Sequence, residues 1–78
     1  MHHLVRVLDF NNIHQQSIYV KVMVFDAETG KEYSDEIRFL SGMLYGDLVH
    51  QDRSPLSPDC REYVKETLIR KYENGDFR

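Results

Sequence analysis

Residues 20–39 read VKVMVFDAETGKEYSDEIRF. Two alternating apolar and polar runs flank a turn signal, DAETGK, in which Gly30 can take a positive φ without steric penalty. The length of the loop decides the sheet. A three-residue loop sets Ala27 opposite Lys31, Val20 opposite Arg38 and Val22 opposite Glu36. Both faces would then mix charge with β-branched groups. A four-residue loop, Ala27 to Gly30, is closed by Asp26 opposite Lys31. It brings Val20 to Ile37, Ile18 to Phe39 and Val24 to Tyr33, with Lys21 against Glu36 and Tyr19 against Arg38 on the other face. A one-residue slip reverses every side chain, so the register with one apolar face is preferred. It predicts strands over 18–26 and 31–40, with a type I turn and Gly30 as its left-handed exit. Val22 then faces Asp35, which marks an edge position or a bulge.

Outward from this hairpin, LVRVLDF (residues 4–10) predicts a third strand, and NNIHQQS after it a polar connection. The inward face of that strand stays open, because Leu4, Leu8 and Phe10 alternate with Val5 and Val7 while Arg6 and Asp9 interrupt both sets. The C-terminal segment predicts a helix over 58–73. Ser57 is a good N-cap, Pro58 sits where its missing N–H costs nothing, and Asp59 meets the positive end of the helix dipole. Cys60, Tyr63, Val64, Thr67, Leu68 and Tyr72 recur at steps of three and four, and form one stripe. Glu66 and Arg70 are placed for an i,i+4 pair, and Asn74-Gly75 ends the helix. Residues 41–56 are undecided. Met43, Leu44, Leu48 and Val49 suit a short helix interrupted by Gly46, and Leu48 and Val49 equally suit a short fourth strand. The fold class expected is α+β: an antiparallel three-stranded meander with a possible short fourth strand, and a C-terminal amphipathic helix on one face.

The 78 residues make a single domain, 1–78, with a thin core. Hydrophobic residues at 41% and charged residues at 29% belong to a folded, soluble chain. No run is long enough to span a membrane, and no secretory leader is evident at MHHLVRVLDF. A single cysteine permits no internal disulfide, so the expected location is cytoplasmic. His2 and His3 are too few to identify a tag remnant.

Sites are sparse. The histidines, at 2, 3, 14 and 50, and the single Cys60 make no paired ligand spacing of the zinc type, so neither a metal nor a cofactor is expected. Cys60, at the third helical position, would need a histidine partner for nucleophilic chemistry, and His50 is its nearest candidate in sequence. The stripe position reads instead as an inert core thiol. Asp47, His50 and Asp52 read as a solvated loop. Asp26, Glu28, Glu32, Asp35 and Glu36 read as a charged hairpin end, without the order of a calcium loop. No glycine-rich phosphate loop is present, and no small-molecule ligand is expected. These absences argue against an enzyme.

Tyr19, Met23 and Phe25, with Lys21 and Arg38, lie on the hairpin face away from the core. They are the expected interaction residues of a non-catalytic accessory or regulatory module that binds another copy of itself or another protein. Two alternatives accompany that reading. One is a single-stranded nucleic-acid module stacking bases on Tyr19 and Phe25, which a net charge of -3 opposes. The other is a small thiol- or histidine-dependent enzyme built on Cys60 or His50.

Overall fold

The computed structural model describes residues 2–14 and 16–77. Four antiparallel strands lie in the order of the chain: β1 (Leu4–His14), β2 (Ser17–Asp26), β3 (Lys31–Leu40) and β4 (Met43–Tyr45). A 3-10 turn, Asp47–Val49, and helix α1 (Pro58–Glu73) follow. The α+β class and the helix bounds agree with the sequence reading.

The hairpin has the four-residue loop. Asp26 pairs with Lys31, Val20 with Ile37 and Ile18 with Phe39. Gly30 has φ 73°, and its N–H donates to the Asp26 carbonyl at 2.8 Å. Val22 does face Asp35, in regular register. Strand β4 pairs only with Arg38–Leu40, so Asp35 stands on a free edge, where its carboxylate accepts the Glu36 N–H at 2.7 Å. Tyr19 and Arg38 also meet, with the guanidinium 5.9 Å from the ring centroid.

The open question about β1 is resolved by an irregularity. Val7 pairs with Val22 and Asp9 with Lys21, so Leu8 is an extra residue. Such a bulge shifts the alternation by one. Val5 and Val7 lie on the inner face before it, and Phe10 and Asn12 lie there after it, opposite Val20 and Ile18. NNIH is strand rather than loop. Pairing with Ser17–Val20 carries β1 on to His14, with a second irregularity after Asn12. The undecided segment divides between both options. Met43–Tyr45 is the fourth strand, and Leu48 and Val49 sit in the 3-10 turn, buried. They are therefore not strand residues.

Helix α1 begins as its cap predicts, with the Ser57 hydroxyl accepting the Cys60 N–H at 3.3 Å. It ends with Gly75 at φ 82°, the Gly75 N–H on the Tyr72 carbonyl and the Asp76 N–H on that of Lys71. This double closure is a Schellman motif, and it needs a left-handed residue at Gly75. It turns the chain so that Phe77 returns to the core, edge-on to Phe10 at 5.6 Å and 5.7 Å from Phe39. The Asn12 amide donates to the Phe77 carbonyl at 2.7 Å. Of the predicted stripe, Cys60, Val64 and Leu68 are buried, Thr67 and Tyr72 are half-buried, and Tyr63 is exposed. Among the described residues, the contact ion pair within the helix is Glu62–Lys65 at 3.8 Å, not Glu66–Arg70. Val20, Val22, Val24, Ile37 and Phe39 of the sheet are fully or almost fully buried beneath this layer. Among the described residues, no helix is long and apolar enough to cross a membrane.

Candidate metal centre

Alternation decides what lies at one end of the core. In β2 the inward positions are Ile18, Val20, Val22 and Val24, and the next in phase is Asp26. That carboxylate is fully buried. It is held by donors from two segments. Its Oδ1 accepts the Glu28 N–H at 3.0 Å, an Asx turn that starts the hairpin loop, and the Ser57 hydroxyl at 3.0 Å. Its Oδ2 accepts the Ser57 N–H at 2.7 Å. Burial alone would push the Asp26 carboxyl up. The Ser57 backbone and hydroxyl donors, with the Glu28 and Thr29 N–H groups, outweigh it and hold the pKa below the ordinary 3.8. Ser57 thus caps the helix and ties it to the hairpin in one residue.

The same cap sets Cys60 at the third position of α1, on the inward stripe and fully buried. Burial, with Asp26, Asp59 and Glu28 nearby, pushes its thiol up to about 11. On its own it is therefore a poor nucleophile at neutral pH.

His3 completes the group. It precedes β1 and is in phase with Val5 and Val7. Its Nδ1 accepts the Ala27 N–H at 3.0 Å, and its Nε2 lies 3.0 Å from Asp59 Oδ2. The first bond requires a lone pair on Nδ1, so the proton sits on Nε2 and is donated to Asp59. Nδ1 stands 3.7 Å from Asp26 Oδ1, and the ring lies 5.9 Å from that of Tyr63. One donor atom each of His3, Asp26 and Cys60 falls within 4.8 Å of the others.

This cluster overturns the reading of the chain as a non-catalytic contact module, and with it the argument against an enzyme. That argument took the histidines as scattered, expected no metal and gave Cys60 no partner but His50. The fold pairs Cys60 with His3 instead, and the donors come from three segments that no local spacing could link. The acidic hairpin end also divides. Asp26 turns inward, while Glu28, Glu32, Asp35 and Glu36 are exposed. His50 is exposed, its Nδ1 taken by the Asp52 N–H at 3.1 Å, and Asp47 lies 3.8 Å from Arg53. His14 is likewise exposed and accepts the Gln16 N–H at 3.2 Å.

Tyr19, Lys21, Met23, Phe25 and Arg38 occupy the open face of the sheet, away from this cluster, with Lys21 exposed and the others half-buried. A depression of about 350 Å³, open to solvent, lies beside the β1 bulge between Asp9, Asn11, Tyr19, Lys21 and Glu36. Comparison with family models, with curated proteins and with solved structures returned no match.

Proposed function

We propose that the protein binds a divalent transition metal through His3, Asp26 and Cys60, in a centre of the three-ligand kind found in metal-dependent enzymes. The observation that carries this is the convergence of a thiol, an imidazole nitrogen and a carboxylate within 4.8 Å, two of them fully buried. A sulfur and nitrogen donor set suits zinc-class ions and not magnesium or calcium, which take oxygen ligands. Donor atoms within 4.8 Å of one another are near enough that His3, Asp26 and Cys60 would hold such an ion after a small adjustment. The Asp59 carboxylate on Nε2 is the outer-shell partner that a ligating histidine needs, since it fixes the tautomer with a lone pair on Nδ1, which an ion would take over from the Ala27 N–H.

The raised thiol pKa argues against a thiol nucleophile. An ion would displace the proton, because a coordinated thiol is held as thiolate. Binding therefore releases a proton and tightens as pH rises. Three protein ligands leave one position for water, and a zinc-bound water ionises near pH 7. An ion held by His3, Asp26 and Cys60 would supply Lewis-acid chemistry of the kind used in hydrolysis.

Cobalt titration of the metal-free, reduced protein tests the reading. A thiolate-to-cobalt charge-transfer band saturating at one equivalent, bleached by zinc and missing in Cys60→Ala, is the expected result. No band in the wild type, with no change in thermal stability on adding zinc, refutes it. Zinc-dependent hydrolysis of an activated ester, lost in Cys60→Ala, is the corresponding assay of turnover.

Tyr19, Lys21, Met23, Phe25 and Arg38 are proposed, beside this centre, as a contact surface for another protein or a second copy. The half-buried aromatic and Met side chains on an open sheet face support that role. Loss of self-association in Phe25→Glu, with folding intact by circular dichroism, is the expected sign.

A further inference from the structure

Asp26 and Cys60 have no solvent-accessible surface, whereas the His3 side chain keeps 11% of its own. Of the three donors, only His3 stands between the cluster and water. The two buried donors are also the fixed ones. Ser57 binds Asp26 through both its N–H and its hydroxyl, and the same hydroxyl caps the Cys60 N–H, so the Asp26 carboxylate and the Cys60 backbone are held by the helix start. His3 is held differently. The sheet ladder begins one residue later, at Leu4. Its ring rests on the Ala27 N–H and on Asp59, whose side chain is 76% exposed.

We infer that His3 is the gate of the centre: the ion reaches a preformed Asp26–Cys60 pair when the imidazole swings off Ala27 and Asp59, and is locked in when the ring returns with Nδ1 on the ion in place of the Ala27 N–H. This rests on the proposed metal centre and adds its loading order. Asp59 is then a positioning residue, outside the ligand set, that sets how often the gate opens.

Stopped-flow mixing with cobalt alone, following the thiolate charge-transfer band, separates the two ideas. The wild-type rate should rise with cobalt and then level off, because opening becomes limiting. Asp59→Asn keeps every ligand and weakens one charge-assisted bond. Its plateau should be about five- to ten-fold higher. His3→Ala should load linearly with cobalt, without a plateau, and release the ion to a chelator about 10–100-fold faster. Far-UV circular dichroism checks that both variants are folded. A wild-type rate that is linear throughout, or a plateau unmoved by Asp59→Asn, overturns the gate while leaving the centre standing. Absence of the thiolate band in all three proteins removes the centre itself.

Discussion

Replacing Asp26 by Asn tests the tie between hairpin and helix. The two side chains have the same shape, but an amide offers one acceptor where the carboxylate offers two. With the amide oxygen at the Oδ1 position, the NH₂ group faces the Ser57 N–H, now 2.7 Å from Oδ2. With the amide reversed, it faces the Glu28 N–H, and the Ser57 hydroxyl must turn. Either way at least one charge-assisted bond, worth about 1.5–3 kcal/mol, becomes a contact between donors in a buried place. The expected loss is about 2–4 kcal/mol. A domain of this size has about 4–12 kcal/mol in all, so the variant should fold. At about 4–8 °C per kcal/mol for a small domain, its Tm should fall by roughly 8–32 °C. Thermal melts of both proteins, run without metal, measure that shift, and urea melts the free-energy gap. The pH dependence adds a second check. Asp26 titrates lower in the folded state than its ordinary 3.8, so its contribution is complete above that pH and is lost as pH falls through the folded value. The gap between wild type and variant should therefore narrow below about pH 4. A gap under about 1 kcal/mol at pH 7, or one that stays constant into acid, refutes the tie.

Cys60 gives the opposite slope. Its thiol is raised from 9.0 to about 11, so the folded state loses stability as pH climbs between these values, by up to about 3 kcal/mol. Urea midpoints of wild type should drop there relative to Cys60→Ala, and parallel curves would contradict the buried, uncharged thiol. Deleting Leu8 should remove the bulge and keep Val7 and Phe10 inward, with a cost of about 1 kcal/mol or less. Cross-strand NOEs between Phe10 and Val20 in the Leu8 deletion are the readout. Leu68→Ala should cost about 2–5 kcal/mol, because that side chain is fully buried, while Leu4→Ala, 59% exposed, should stay within about 0.5 kcal/mol. Equal losses in chemical denaturation would contradict the assigned helix face.

The hairpin register and the helix were legible because each is set by neighbours in sequence. Val20 against Ile37 follows from alternation and one glycine, and the helix start follows from Ser57-Pro58-Asp59. Strand β1 was not, because a single extra residue at Leu8 reverses the alternation, and LVRVLDF reads ambiguously on either side of it. The metal cluster was missed for a related reason. Its members lie at positions 3, 26 and 60, and only the folded hairpin and helix bring them together. A signal was nonetheless present. Asp26 is in phase with Val24, Cys60 with Val64, and His3 with Val5. Three potential ligands on inward positions, each at the end of its element, mark a buried polar site even when no two are close in sequence.

The uninterrupted strand order has a kinetic consequence. Every strand pairs with its predecessor, across connections of two to four residues, so each closure is short and the sheet can zip from the DAETGK turn outward. The Asp26–Ser57 bonds instead span 31 residues, and they form only when the helix docks. Folding rates should therefore respond to changes in the hairpin, such as Gly30→Ala. Changes at Ser57 should leave the folding rate nearly intact and speed unfolding instead. The lifetime of the native state then depends on the serine that docks the helix.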